Sequence, residues 1–315
     1  MTSKENRQIN TQRAILDIIS PMDHEIMMRY IDIMCDRYRF MSMNYIGESI
    51  LGRGIPMITL GNGKKQVMYI GAFSGADHIC SMLLLRFINE YCEVKKRGGR
   101  IYNYSIEYLF ATRRICVIPM LNVDGVDINI NGVSEDNILK ERILSMNNGR
   151  RFTEWKANSR GVSLNKNFNF EFSKYKTEAT GRGICSGAPQ DFCGECPESE
   201  PEVGALCSNI RYCDDLKATV AIGSGGEKIF YRTEKVTPIR GKSIAEALSR
   251  ACGYRLQDSA EGEDTYGSFF GWCIEELGIP SFEILCGKKN ERYPETYFEL
   301  YARLREILFT LPAII

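Results

Sequence analysis

The amino-acid sequence predicts an α/β fold: a mixed, mainly parallel central sheet with helices on both faces. Two observations point there. Apolar runs of strand length end abruptly in polar, glycine-bearing loops, and stretches with apolar residues at helical spacing alternate with them. With 315 residues, 44% hydrophobic and 25% charged, the chain has the length and composition to bury a sizeable core.

Residues 23–38, DHEIMMRYIDIMCDRY, carry apolar side chains at helical spacing behind Asp23, a suitable N-cap. Met27, Met28 and Met34 on that helix suit core packing; a partner groove is the alternative. SILGRGIPMITLG and KKQVMYIGAF then read as strands joined by a turn at Gly61 to Gly63, and HICSMLLLRFINEYCEV as a strongly apolar helix. RRICVIPMLNVDGV, LKATVAIGSGG and IPSFEILCG repeat the pattern of an apolar strand running into a loop, while ALSRACG and YFELYARLREILFTL read as helices. In sheets of this kind ligands sit beyond the carboxyl ends of the strands, so those loops are where a site is expected. No repeat, low-complexity block or linker divides the sequence, so residues 1–315 are expected to form one domain, with residues 1–45 as a helical extension packed on it.

Lysines plus arginines number 40 and so do aspartates plus glutamates, which argues against nucleic acid or an anionic membrane as partner. No run approaches the about 20 apolar residues that span a bilayer, and MTSKENRQINTQR lacks the apolar core of a signal peptide. The expectation is a cytoplasmic protein whose 12 cysteines are reduced.

From about Ile46 onward the strand endings carry recognisable segments. They are GESILGR ending at Arg53, PMLNVDG at Pro119–Gly125, WKANSRGV at Trp155–Val162, LNKNF at Leu164–Phe168, SEPE at Ser199–Glu202 and GIPSF at Gly278–Phe282. In these the chain resembles the zinc metallocarboxypeptidases, the carboxypeptidase A-like peptidases, and most closely their bacterial branch of γ-D-glutamyl-diaminopimelate peptidases that trim cell-wall peptides. The resemblance implies a zinc carboxypeptidase-like fold; it does not by itself carry activity.

The family's chemistry, as the resemblance implies it, needs a zinc held by two histidines and a glutamate, an open position for water, and a separate glutamate as general base. The first two ligands belong to a His-x-x-Glu segment, which here reads Ser74-Gly75-Ala76-Asp77. Asp77 keeps a carboxylate but draws it back by one methylene, about 1.5 Å, large against metal-ligand tolerances of about 0.2 Å. The third ligand should close the strand ending at Ile222, where Gly223 stands, and the base should close Phe282-Glu283-Ile284, where Leu285 stands. No metal ligand set is intact at Ser74, Asp77 and Gly223, so no cofactor is expected, zinc included. The only histidines are His24 and His78; neither stands at one of the three ligand positions.

The substrate-gripping part is less eroded. Relatives bind a free carboxylate with an Asn-Arg pair and polarise the scissile carbonyl with another Arg; the counterparts here are Asn165-Lys166 and Arg160. Lys166 keeps the charge without the bidentate fork, and the competing reading of Arg160 and Lys166 is that of solvated loop cations. Glu283 shares a strand face with Leu285, about 6.6 Å away along it, and is either a substitute carboxylate at the pocket edge or an ordinary strand-end charge. The cysteines from Cys185 to Cys213 include Cys193-Gly-Glu-Cys196, the spacing of half a zinc knuckle, with plain structural thiols as the alternative. The expectation is a catalytically silent relative that binds a peptide or peptide-like ligand with a free carboxylate. An active metal-dependent γ-D-glutamyl-diamino-acid peptidase with a rearranged site is the alternative, and a subunit paired with an active relative a third reading.

Overall fold

The computed structural model describes residues 21–257, 265–288 and 297–315. The first helix, α1 (His24–Arg37), begins where its cap dictates: the Asp23 carboxylate accepts the Ile26 backbone N–H at 2.9 Å. Its Met27 and Met34 are buried and Met28 is half-buried against the core, so that stripe packs inward.

Eight strands form one sheet in the order β1 (Ser42–Glu48), β2 (Gly54–Leu60), β6 (Arg113–Ile118), β3 (Lys65–Gly71), β7 (Leu216–Ser224), β10 (Ser281–Cys286), β8 (Lys228–Phe230), β9 (Arg255–Gln257). The central run β6-β3-β7-β10 is parallel throughout; β1/β2, β2/β6 and β10/β8 are antiparallel. A short hairpin, β4 (Arg100–Ile101) and β5 (Tyr104–Ser105), stands apart. The central strands read as continuous apolar runs because both faces are covered. On β3 every residue from Gln66 to Gly71 is buried, and α2 (His78–Lys96) buries Leu83, Leu84, Phe87 and Ile88 against the sheet. The remaining helices are α3 (Ile106–Thr112), α4 (Val123–Asn131), α5 (Lys140–Asn147), α6 (Phe172–Gly181), α7 (Pro201–Arg211), α8 (Gly241–Cys252), α9 (Phe269–Glu275) and α10 (Tyr297–Ile314). The Gly61-to-Gly63 turn is demanded by packing: a Cβ at Gly63 would stand 2.0 Å from the Thr112 carbonyl carbon.

Parallel register aligns the carboxyl ends of the central strands. Gly71 pairs with Ile222, and Leu285 pairs with Gly223, so β3, β7 and β10 deliver their last residues to one edge. There β3 turns sharply: Ala72, at φ 51°, holds a left-handed conformation that costs a non-glycine residue about 1 kcal/mol. The turn is pinned by Asn122, whose backbone N–H donates to the Ala72 carbonyl at 3.0 Å and whose amide donates to the Phe73 carbonyl at 3.1 Å.

Among the described residues no helix is long and apolar enough to cross a membrane. The twelve cysteines are free thiols.

Candidate functional site

Beyond the aligned ends of β3, β7 and β10 lies a cavity of about 160 Å³. Its floor is Phe73, Ala221, Ile222 and Leu285, and Ser74, Asp77, Gly223, Asn165, Lys166 and Glu283 all border it. Seven sequence-predicted positions, Leu285 included, thus converge from segments up to about 210 residues apart in the chain. Arg160 does not. Its Nε lies 3.5 Å from the buried Glu200 carboxylate, which ties it to the scaffold, and it is not among the cavity-lining residues.

Asp77 precedes α2 at the N-cap position, yet its side chain makes no cap hydrogen bond. Its carboxylate instead accepts the Ser224 hydroxyl at 2.5 Å, across to the end of β7. Burial pushes its pKa up to about 6, against the downward pull of the Ser224 hydrogen bonds and the Lys156 charge. Ser74 is engaged locally, its oxygen accepting the Ala76 N–H at 3.2 Å.

Gly223 and Leu285 fit each other. They are register partners on β7 and β10, and a Cβ built at Gly223 would lie 3.0 Å from Leu285 Cδ2 and 3.7 Å from Asp77 Oδ2. A Cβ at Gly226 would meet the Leu285 Cβ at 2.9 Å. The isobutyl group therefore packs over two bare glycine faces and takes up the room a larger residue at 223 would need.

Asn165 and Glu283 also satisfy one another. The Asn165 amide donates to Glu283 Oε1 at 2.9 Å, and its carbonyl oxygen accepts the Phe269 N–H at 3.0 Å. Lys166 lines the cavity while its ammonium lies 3.4 Å from the Tyr266 carbonyl oxygen and 4.6 Å from the centre of the Tyr175 ring. Lys156, Ser163, Leu164, Gln190, Asp191 and Ser224 complete the lining, and none of them is a candidate site residue from the sequence. Lys156 lay inside a segment already recognised, and its carbonyl holds Gly75 N–H at 2.9 Å.

The model for the zinc carboxypeptidase family matches residues 27–281. The chain belongs to that family. Of curated family relatives, γ-D-glutamyl-L-diamino acid endopeptidase 1 of Lysinibacillus sphaericus is 29% identical over 278 residues, covering 88% of this chain and 68% of the relative. Uncharacterized protein YqgT of Bacillus subtilis is 26% identical, with 93% of this chain and 77% of YqgT covered. Bovine thrombin-activatable fibrinolysis inhibitor superposes with a TM-score of 0.69 at 19% identity, over 94% of this chain and 99% of that one. Murein-tripeptide amidase MpaA from Escherichia coli O157 gives 0.52 at 19% identity, over 84% of this chain and 92% of that one. The two structural likenesses establish the fold.

By the resemblance alone, a family zinc would be held at Ser74, Asp77 and Gly223. Protein zinc sites draw on thiolate, imidazole and carboxylate donors. Here the set is a hydroxyl, one carboxylate engaged with Ser224, and a residue with no side chain. That set does not fit the ion. His78, next to Asp77, starts α2 with Nδ1 buried and without a hydrogen-bond partner, and burial pushes its pKa down. His24 lies with Nε2 2.9 Å from the Gly54 carbonyl oxygen, and neither histidine lines the cavity. The thiols of the Cys193–Cys196 pair part company, one buried and one exposed, and the Asn167 amide gathers their two carbonyls at 2.7 and 3.0 Å. Among the described residues no three or more His, Cys, Asp or Glu side chains are grouped to hold a metal ion.

Proposed function

We propose that this member of the zinc carboxypeptidase family does not hydrolyse peptides but binds a peptide or peptide-like ligand in the cavity at the strand ends. The observation that carries the reading is the interlock of Leu285 with Gly223 and Gly226. It fills the space a ligand at 223 would need with hydrocarbon, and puts a side chain that can take no proton where a general base would stand. A hydrolase of this class requires both a metal-activated water and a proton acceptor within about 3 Å of it. The cavity retains the character of a binding site: a small apolar floor, with Lys156, Asp191, Gln190 and Ser163 around the rim.

The test pairs elemental analysis with assays on γ-D-glutamyl-diaminopimelate peptides. The expected result is zinc well below one per chain and no cleavage, with peptide binding retained and weakened when Gln190 or Lys156 is changed to Ala. Stoichiometric zinc together with turnover defeats the reading. Reversal supplies a second arm. Gly223→His alone is expected to destabilise by about 1–3 kcal/mol through overpacking against Leu285, whereas adding Leu285→Glu relieves it, a coupling that a double-mutant cycle measures.

The alternative is an active peptidase with a rearranged site, and one observation favours it: Asp77, a carboxylate directed into the cavity beside Ser224 and Ser74. It predicts metal-dependent turnover that disappears in Asp77→Ala.

A further inference from the structure

Two sulfur atoms meet under the strand ends, on the face of the sheet that α2 covers. Cys80 lies in the first turn of α2, and a Cβ built on Gly71 of β3 would stand 3.4 Å from the Cys80 Cβ, which places the thiol over the end of that strand. Register carries the same face across the sheet: Gly71 pairs with Ile222 and Ile222 with Ile284, so Cys286, two residues beyond Ile284 at the close of β10, lies on that face too. Leu285, between them, points to the other face and borders the cavity. Both cysteines are fully buried.

The thiols belong to one line of hydrogen bonds. The Ala72 N–H donates to Cys80 Sγ, the Cys80 thiol donates to Cys286 Sγ, and the Cys286 thiol donates to the Gly223 carbonyl at 3.1 Å. The bond to Cys286, with burial behind it, holds the Cys80 thiol well above its ordinary pKa, so Cys80 keeps its proton at neutral pH. Sulfurs that only fill a core need no such mutual contact, because a buried thiol packs as a small hydrophobe. The pair also has a way in. Gly223, whose carbonyl holds Cys286, and Ser224, the register partner of Cys286, both line the strand-end cavity, so a molecule as small as hydrogen peroxide in that cavity is one layer of backbone from Cys286 Sγ.

We infer that Cys80 and Cys286 are a redox modification site, a dithiol that a peroxide converts to a reversible disulfide within the folded protein. Because Cys80 keeps its proton, the first attack falls to Cys286. Its sulfur bonds to one peroxide oxygen, the O–O bond breaks, the departing hydroxide leaves as water with the thiol proton, and Cys286 becomes a sulfenic acid. The Cys80 sulfur then displaces the sulfenic hydroxyl, which leaves as a second water with the Cys80 proton, and the S–S bond closes. The two sulfurs together lose two electrons and the peroxide gains them. The bond ties the first turn of α2 to the end of β10 and takes the S–H donor from the Gly223 carbonyl, at the strand end that carries the Leu285 interlock. It does not depend on what the cavity binds.

The test treats the reduced whole chain with hydrogen peroxide, blocks the remaining thiols with iodoacetamide, digests with trypsin in the absence of reductant and maps the peptides by mass spectrometry. The expected product is the 66–86 peptide, which holds Cys80, joined to the 256–288 peptide, which holds Cys273 and Cys286, at a mass two hydrogens below the sum of the two and separated again by dithiothreitol. Fragmentation is expected to place the link on Cys286, with Cys286→Ala abolishing it and Cys273→Ala leaving it. The linked chain should unfold about 5 °C or more above the reduced one, since the bond closes a long loop without distorting the fold. No linked pair, a link carried by Cys273, a link that forms only in urea, or a linked chain that melts no higher than the reduced one would each overturn the assignment. Should Cys286→Ala fail to fold, fragmentation of the wild-type product decides alone.

Discussion

Two clusters of residues sit at the carboxyl edge of the same sheet and are held in opposite ways. Around Asp124, the loops that frame the edge are knit by a dense buried network: Asp124 accepts Ser49 Oγ at 2.8 Å, Leu51 N–H at 3.0 Å, Arg53 Nη1 at 2.8 Å and Ser159 Oγ at 3.1 Å. Beside it, Asn158 donates to Glu200 at 2.7 Å while its carbonyl oxygen takes the N–H groups of Arg160 and Val162 at 3.0 Å. The positions of Ser74, Gly223 and Leu285 hold no such network. One carries a single local hydrogen bond and the other two meet as hydrocarbon over a bare backbone. The difference separates residues the architecture requires from residues it tolerates, because a buried carboxylate with four donors cannot be removed without stranding them, whereas a side chain facing a cavity can.

Substitution breaks or sharpens that contrast, and the largest effect belongs to the framing network. Asp124→Ala removes a fully buried anion and leaves its donors unsatisfied, so a loss of about 3–5 kcal/mol is expected in urea unfolding. Ser74→Ala, at the cavity, is expected to stay within about 0.5 kcal/mol of wild type. Similar losses at both positions would erase the distinction.

Glu202, whose Oε2 lies 3.5 Å from the Asn158 amide nitrogen, is a loose member of this network, and pH exposes it. Glu202 is fully buried, its Oε1 has no hydrogen-bond partner, and burial together with the nearby Asp124 and Glu200 charges pushes its pKa up to about 8. In the unfolded chain the group ionises near 4.5, so between about 4.5 and 8 the unfolded state binds fewer protons than the folded one. The associated stability is present below that window and lost as pH rises through it, with a slope of up to about 1.4 kcal/mol per pH unit. Glu202→Gln keeps the shape and removes the proton, so its stability should fall less steeply from pH 5 to 8 than that of the wild type. Parallel curves would show that Glu202 ionises normally in the folded protein.

How far all this could be read from the sequence depended on whether the signal was local. The central strands were legible because burial on both faces makes them apolar runs, and α1 because Asp23 caps it. β1 was not: it is an edge strand with four exposed residues, Tyr45 among them, and no apolar alternation. β8 and β9, three residues each, are too short to carry a pattern. At the site, Ser74, Asp77, Gly223 and Leu285 are placed by the resemblance to the zinc carboxypeptidases, each at or just after a readable strand. The engagement of Asp77 by Ser224 spans 147 residues and depends on parallel register, which no local pattern encodes. Arg160 is placed at the pocket by the resemblance, as counterpart of the carbonyl-polarising arginine, whereas the structure turns Arg160 to Glu200 and lines the cavity with Lys156 from the same segment.

That difference between the two cations yields the smallest and most discriminating effect. Lys156 lines the cavity and its charge lowers the Asp77 pKa, whereas Arg160 is turned to Glu200. Lys156→Gln should therefore raise Asp77 further above about 6, by about a few tenths of a unit for a partly solvated charge, as read from the carboxyl carbon in an NMR titration. Arg160→Gln should leave that titration in place while weakening the hold of the 158–162 loop on Glu200. If instead Arg160→Gln moves the Asp77 titration and Lys156→Gln does not, the cation that governs the cavity is the one the sequence suggested, and the geometry assigned to both loops must be exchanged.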